Sequence, residues 1–179
     1  MIGLTAGVLR AQGLERQVRV PSLRSVWMLL AASLMWFVGF SFKPARELIP
    51  DNVDSFLLIA SQCLTIAFFL ANLSEPGFSL AALGVACNLA VIIANGGFMP
   101  ITPESVRYLA PNIPADIFPT GSRLGWGKDI VLLAQSTRFY FLSDCLRLPV
   151  WLPVRLAFSL GDCLLAAGVA WRFWCLSER

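Results

Sequence analysis

The sequence predicts an all-α integral membrane protein: a polytopic bundle of about four transmembrane helices, with an extracytoplasmic loop region that contains short interfacial helices. Three observations lead to this fold class. The chain of 179 residues is 57% hydrophobic and only 14% charged, whereas about a quarter of the residues in soluble domains are charged. Four apolar stretches approach the length that crosses a hydrocarbon core. The longest segment between two of them is rich in proline and glycine.

The central element is the uncharged stretch Phe78–Ala94, which offers roughly 25 Å of helix at 1.5 Å per residue. It is followed by residues that end helices, because asparagine and glycine adopt the left-handed conformation and proline prevents the helix from resuming. The stretch is therefore predicted to be a transmembrane helix with a hard stop. The helix-stop motif consists of Asn95, Gly96, Gly97, Met99 and Pro100.

Two more transmembrane helices are predicted before the central one, so that residues 25–95 form a three-helix unit. Residues 1–24 form a basic juxtamembrane segment, with an amphipathic surface helix over Leu9–Val20 as an alternative. Residues 25–42 are uncharged and form the first predicted span. The second covers Phe56–Leu73, and the short link Ser74–Gly77 makes an antiparallel hairpin with the third.

Polar residues in and before these helices have predicted structural roles. Asp51 or Asp54 is available to cap the second helix. Amide and hydroxyl side chains in apolar helices usually mark contacts between helices. Residues of this kind are Gln62, Thr65, Asn72 and Asn88.

Residues 96–156 are predicted to be the extracytoplasmic loop region. Thr102, followed by a proline and an acidic residue, predicts a short helix over Pro103–Leu109. A second short helix is expected over Asp129–Gln135. Aromatic and apolar residues alternate with charges in Thr137–Pro153, which favours a segment lying in the membrane interface.

The last predicted span lies in residues 157–179 and covers Ala157–Leu176. Ser159 and Asp162 match the capping-box pattern of a helix start, and Arg172 is expected to extend its charged group towards the interface. The arginines near both termini place the two ends in the cytoplasm by the positive-inside rule.

Composition excludes several kinds of chemistry. The chain contains no histidine, so an imidazole metal site, a haem ligand or a Ser-His-Asp triad is not available from it alone. The five cysteines have no C-x-x-C spacing, and the net charge is only +3, which gives no case for nucleic-acid binding. We therefore predict no catalytic residues, no metal site and no cofactor.

Three motifs in order carry a resemblance to a known family. The first is Asn95-Gly96-Gly97-x-Met99-Pro100, and the second is Thr137-Arg138 followed by Leu142-x-Asp144 and Pro149. The third is Phe158-Ser159-x-Gly161-Asp162 leading into an apolar helix. Together they resemble the bacterial membrane-protein family called domain of unknown function 5317. The resemblance implies a small polytopic protein of the bacterial cytoplasmic (inner) membrane and assigns no activity.

Four polar residues, Asn95, Arg138, Asp144 and Asp162, are predicted to lie near the outer interface. They form either a structural clasp that fixes the loop region on the bundle, or a small site for a polar ligand. The first hypothesis for function is a non-catalytic accessory or scaffold subunit of a larger bacterial membrane complex. The alternative is a transporter-like or ligand-binding protein that uses this cluster, and an enzyme is a third. The expected partners are the lipid bilayer and other membrane-protein subunits.

Overall fold

The computed structural model describes residues 22–42, 48–114 and 117–175. Most of the predicted juxtamembrane segment, including the alternative surface helix over Leu9–Val20, lies outside these residues. The described part is mostly helical, with five α-helices, four short strands and two short 3-10 helices. The helices are α1 (Trp27–Phe40), α2 (Asp51–Ala71), α3 (Phe78–Ala94), α4 (Pro103–Leu109) and α5 (Leu160–Trp174). The strands are β1 (Met99–Ile101), β2 (Asp129–Val131), β3 (Leu146–Arg147) and β4 (Ala157–Phe158).

The four longer helices pack in the order α1, α2, α3, α5. Asn72, directly after α2, hydrogen-bonds the backbone of Arg24, just before α1, so these two helices run antiparallel. Gly77, at the start of α3, contacts Gly168 in the second half of α5, so these two are antiparallel as well. The start of α1 and the end of α5 therefore lie on the same side of the bundle, and the loop region lies on the other.

Helix α3 has the bounds that the sequence predicts. It begins after Gly77, whose φ of 83° lies in the left-handed region that favours glycine. It ends at Asn95, and the next two residues, Gly96 and Gly97, have φ values of 85° and 93°. At Gly97 there is also no room for a side chain, because an added Cβ would overlap Ser55.

Helix α2 begins at Asp51, five residues before the predicted start. Its N-cap is Pro50, in an extended conformation and without a side-chain hydrogen bond. The expectation that Asp51 or Asp54 caps the helix is therefore wrong: both carboxylates lie inside its first turn. Negative charge in that turn still interacts favourably with the helix dipole.

Two apolar clusters form the core of the bundle, one at each end. The cluster next to the loop region is centred on Phe40, Leu58, Val91, Ile92, Phe98 and Met99. The cluster at the opposite end is centred on Phe68, Phe69, Phe78, Ala81, Ala82 and Val85. The second cluster is aromatic, with the rings of Phe69 and Phe78 edge to face at 5.2 Å between centroids, a favoured geometry for aromatic pairs.

The loop region corrects the all-α prediction. Strands β1 and β2 pair in parallel, with Met99 opposite Asp129 and Ile101 opposite Val131, and β3 and β4 pair antiparallel. The helix expected over Asp129–Gln135 is absent: this segment is β2 followed by a 3-10 helix at Ala134–Ser136. The predicted helix α4 is present, and Thr102 caps it by accepting a hydrogen bond from the Ser105 amide.

Helix α5 begins with the predicted capping box, in which Ser159 and Asp162 exchange hydrogen bonds with each other's backbone amides. The side chain of Arg172, near the end of this helix, is 9% exposed and forms an ion pair with Glu75 at 3.0 Å. Glu75 lies in the tight turn between α2 and α3, so the arginine joins the end of α5 to that turn.

Among the described residues, α2 is the single helix that is long and apolar enough to cross a membrane. Helices α1 and α3 are apolar but shorter, so four transmembrane helices are not confirmed. Only 28% of the most apolar 18-residue stretch of α2 is buried. In a soluble domain, most of such a core helix would be buried. Large apolar side chains are exposed along all four helices, among them Trp27, Leu30, Leu34, Phe56, Leu70, Leu83, Ile93 and Trp171.

Candidate functional site at the loop end of the bundle

The four residues of the predicted polar cluster lie at the loop end of the bundle, but they belong to three separate hydrogen-bond networks. Asn95 and Arg138 form the first, Asp144 belongs to the second, and Asp162 belongs to the third. In each network a residue of one helix or strand is bonded to a segment distant in sequence.

In the first network, Asn95 at the end of α3 binds the backbone of Arg138. Its Nδ2 donates to the Arg138 carbonyl at 2.9 Å and to the Val91 carbonyl at 2.8 Å. The Arg138 amide donates back to Asn95 Oδ1 at 2.9 Å. Arg138 therefore takes part through its main chain, and the contact does not depend on its guanidinium group.

The same arrangement occurs at the opposite end of the bundle. Asn72, after α2, donates to the Phe68 carbonyl at 2.8 Å and to the Arg24 carbonyl at 2.9 Å, and it accepts from the Arg24 amide at 2.8 Å. Two helices thus end in an asparagine whose side chain hydrogen-bonds the last turn of its own helix. The same side chain also hydrogen-bonds both the amide and the carbonyl group of one residue in another segment.

The second network is built around Lys128, which the sequence prediction did not include. Its ammonium group lies 2.5 Å from Asp144 Oδ2 and 3.0 Å from Asp129 Oδ1. The Asp144 amide also donates to the Pro100 carbonyl at 3.1 Å, so the aspartate is fixed beside strand β1. Its side chain is 5% exposed, and its second oxygen has no hydrogen-bond partner among the described residues.

Burial and the neighbouring charges set the protonation of this pair. Burial raises the pKa of Asp144 to about 6. Repulsion from the carboxylates of Asp129 and Asp162 acts in the same direction, and the two effects together outweigh the attraction of Lys128. Burial alone would lower the pKa of Lys128, but the carboxylates of Asp129 and Asp144 outweigh it and raise that pKa. Lys128 therefore stays charged, while Asp144 changes charge near the middle of the pH scale.

The third network joins α3 to the start of α5. Asn88, in the middle of α3, donates to Asp162 Oδ1 at 2.8 Å and accepts from the Ser159 hydroxyl at 2.7 Å. Since Asp162 and Ser159 also form the capping box, the amide of Asn88 completes a closed set of hydrogen bonds between the helices. This agrees with the prediction that Asn88 marks a helix contact.

A further ion-pair group was missed by the sequence prediction. Arg123, in the loop region, lies 2.8 Å from Asp54 and 2.6 Å from Asp51. Its guanidinium group also stacks 4.5 Å above the centre of the Phe98 ring, a cation–π contact. Asp54 is 1% exposed. Two carboxylates three residues apart at a helix start were the available signal, but nothing in the sequence identifies their partner.

The arrangement at this end joins the loop region to the bundle at many points. The described residues contain no group of three or more cysteine, aspartate or glutamate side chains placed to hold a metal ion. The carboxylates of Asp54, Asp144 and Asp162 are each engaged by a basic, amide or backbone group of another segment.

The fold and this site define a mostly helical protein whose loop region is attached to an apolar helix bundle by buried polar contacts. The sequence profile of a family of unknown function, DUF5317, matches residues 21–174. The chain therefore belongs to this family, as the three motifs predicted. Among curated proteins and among solved structures, no significant match is found.

Proposed function

We propose that this protein is a multi-pass protein of the bacterial cytoplasmic membrane and acts as a non-catalytic accessory or scaffold subunit of a larger membrane complex. In this proposal helices α1, α2, α3 and α5 cross the membrane, the loop region lies outside, and both ends lie in the cytoplasm. The antiparallel order of the four helices supports the common side of the two ends.

The observation that carries the proposal is the division of the predicted polar cluster into internal contacts. Asn95 binds backbone, Asp144 binds Lys128, and Asp162 binds Asn88. A ligand site needs polar groups that converge on a shared space, whereas these groups are directed at other parts of the same chain. Their geometry favours the clasp over the alternative of a polar-ligand site.

The remaining surface favours contact with apolar partners. Large apolar residues face outward along the helices, which suits lipid or other membrane helices. In the loop region, Val150 and Trp151 are 80% and 78% exposed, and Val154 is also exposed. Exposed apolar residues in one loop mark a contact with a membrane surface or another subunit.

Gentle detergent extraction of the native membrane, followed by size fractionation and identification of co-migrating proteins, tests the proposal. We expect the chain to migrate in one stoichiometric complex. Migration as an isolated protein would contradict the accessory role. A soluble chain that needs no detergent would contradict the membrane location.

The substitution Asp162→Asn separates the clasp from a ligand site. For a clasp we expect a lower yield of folded protein, since the capping box and the bond to Asn88 are both weakened. A stable protein that has lost its cellular role would instead favour the ligand-binding alternative. Gln135→Leu, at an exposed position of the short 3-10 helix Ala134–Ser136, is a control that should leave both the yield and the cellular role unchanged.

A further inference from the structure

A groove of about 300 Å³ lies between the two outermost helices of the row, α1 and α5. Its walls come from all four long helices, including Trp36 of α1, Gln62 of α2, Val85 of α3 and Leu165 of α5. The polar network at the loop end contributes no residue to it, and none of the lining residues is charged. It is therefore a separate feature of the bundle.

The groove contains an amide that has no hydrogen-bond partner among the described residues. Two other polar residues of α2 in its wall are satisfied by their own helix: the Ser61 hydroxyl donates to the Leu58 carbonyl at 2.7 Å, and the Thr65 hydroxyl donates to the Ser61 carbonyl at 2.8 Å. The side chain of Gln62 makes no hydrogen bond with any residue that the structure describes. An amide in an apolar environment carries a free-energy cost unless something binds it.

The position of Gln62 makes this cost large in a membrane. It lies near the middle of α2 (Asp51–Ala71), so in the proposed orientation it faces the centre of the hydrocarbon layer. Water does not satisfy polar groups there. Whatever binds this amide must therefore be soluble in lipid and must bring a hydrogen-bonding group to the middle of the membrane.

The length of the groove favours a compact ligand over a helix of another protein. On α1 the lining residues run from Leu29 to Trp36, which is about 10 Å at 1.5 Å per residue, against about 30 Å for the hydrocarbon core. Towards the end opposite the loop region, the groove reaches Leu29, which packs on the aromatic cluster of Phe68, Phe69 and Phe78. A partner helix would need an open path along the whole bundle.

The chemistry of the lining defines the class of ligand. Gln62 offers two N–H donors and Ser33 offers a hydroxyl, while Trp36 adds an aromatic ring that is 45% exposed. A charged lipid headgroup stays at the interface and finds no countercharge here. A planar ring with carbonyl acceptors and an apolar tail matches the donors, the aromatic wall and the depth.

We propose that this groove binds the ring of a lipid-soluble carbonyl compound of the isoprenoid-quinone class. The ring carbonyls accept hydrogen bonds from Gln62 and Ser33, the ring packs beside Trp36, and the tail leaves through the opening between α1 and α5. This inference rests on the membrane location proposed above but not on membership of a complex.

Titration of the purified full-length chain in lipid nanodiscs with decylubiquinone tests the inference, because a quinone bound beside Trp36 quenches tryptophan fluorescence. We expect saturable quenching for the wild type. Gln62→Leu should raise the Kd about tenfold, the effect of losing about one buried hydrogen bond. Gln135→Leu makes the same chemical change at an exposed position outside the groove and should leave the Kd unchanged.

Ser33→Phe fills the groove from an exposed position and should abolish saturable quenching. If Gln62→Leu does not fold, as judged by circular dichroism and elution volume, the quenching measured with Ser33→Phe decides whether the inference holds. Equal quenching in all four proteins would mean that the quinone partitions into lipid, and would overturn the inference. Self-association that depends on Gln62 and is unaffected by quinone would overturn it too, in favour of helix docking.

The titration uses the isolated chain, whereas the co-migration experiment uses the native membrane. A failure of one experiment therefore does not imply a failure of the other. A negative titration leaves the accessory role intact. Migration as a single protein leaves the quinone result intact.

Discussion

Close contact between α3 and α5 depends on glycines, and its loss can be predicted quantitatively. Gly84 and Gly161 meet at one level of the helix pair, and Gly77 and Gly168 meet at another. At Gly84 an added Cβ would lie 2.5 Å from the Gly161 carbonyl oxygen and 2.6 Å from the Leu165 amide nitrogen. Both neighbours are backbone atoms, which cannot rotate away.

The substitution Gly84→Ala therefore requires the two helices to separate. Ordinary van der Waals contact begins at 3.4 Å, so the axes of α3 and α5 must move apart by roughly 1 Å to admit the Cβ. Overpacking of this kind costs about 1–3 kcal/mol. Alanine also favours the helix over glycine by about 0.5–1 kcal/mol. The two effects oppose each other, and we expect net destabilisation by about 1–2 kcal/mol.

The assay is unfolding of the purified chain in mixed micelles with increasing sodium dodecyl sulfate, followed by circular dichroism. Ala86→Leu, which enlarges an exposed residue on the same helix, is the matched control and should remain within about 0.5 kcal/mol of the wild type. If Gly84→Ala is as stable as the wild type or more so, helix propensity dominates and the close-packing argument is refuted.

Three further outcomes follow from the polar networks. Arg123→Met should destabilise the chain by about 3 kcal/mol, because Asp54 is left buried without its cation; the double variant with Asp54→Asn should recover part of the loss, and no recovery would argue against the pair. Asn72→Ala should remove protection of the Arg24 amide against hydrogen exchange while leaving the remaining helix amides protected; retained protection would contradict the hydrogen bond between Arg24 and Asn72. The pKa of Asp144 is raised from 3.8 to about 6, so the folded state binds the proton more tightly, and the stabilisation is present below pH 4 and lost as the pH rises through 6. Asp144→Asn should flatten this part of the stability profile, and an unchanged profile would assign the titration to another group.

The helices were predictable because local signals bound them. The uncharged run of α3 lies between Gly77 and Asn95, and both residues end helices for reasons visible in the sequence. The sequence predicts a later start for α2 than Asp51, since Asp51 and Asp54 belong to a stretch with the composition of a polar connector. Nothing local shows that Asp54 is neutralised by Arg123.

The loop region was harder to predict because its elements depend on distant partners. Strand β1 is three residues long and exists by pairing with β2, whose residues lie thirty positions later in the chain. Such short segments carry too little periodicity to identify. That pairing also places Lys128 beside Asp144 and decides which cation the aspartate meets. The sequence places Asn95, Arg138, Asp144 and Asp162 together near one end of the bundle, and the structure has them at its loop end. Their hydrogen-bond and ion-pair partners could not be assigned from the sequence.

The glycine contacts between α3 and α5 also bear on how the chain is made. Ribosomes release α3 long before α5, and in the proposed topology the loop region must be translocated in between. Until then the glycine face of α3 has no partner. Helix α5 carries Asp162 near its start and Arg172 near its end, and both bind residues of the preceding hairpin, Asn88 and Glu75. We expect α5 to enter the bilayer against α3, so that biogenesis of the bundle is completed only after synthesis of the loop region ends.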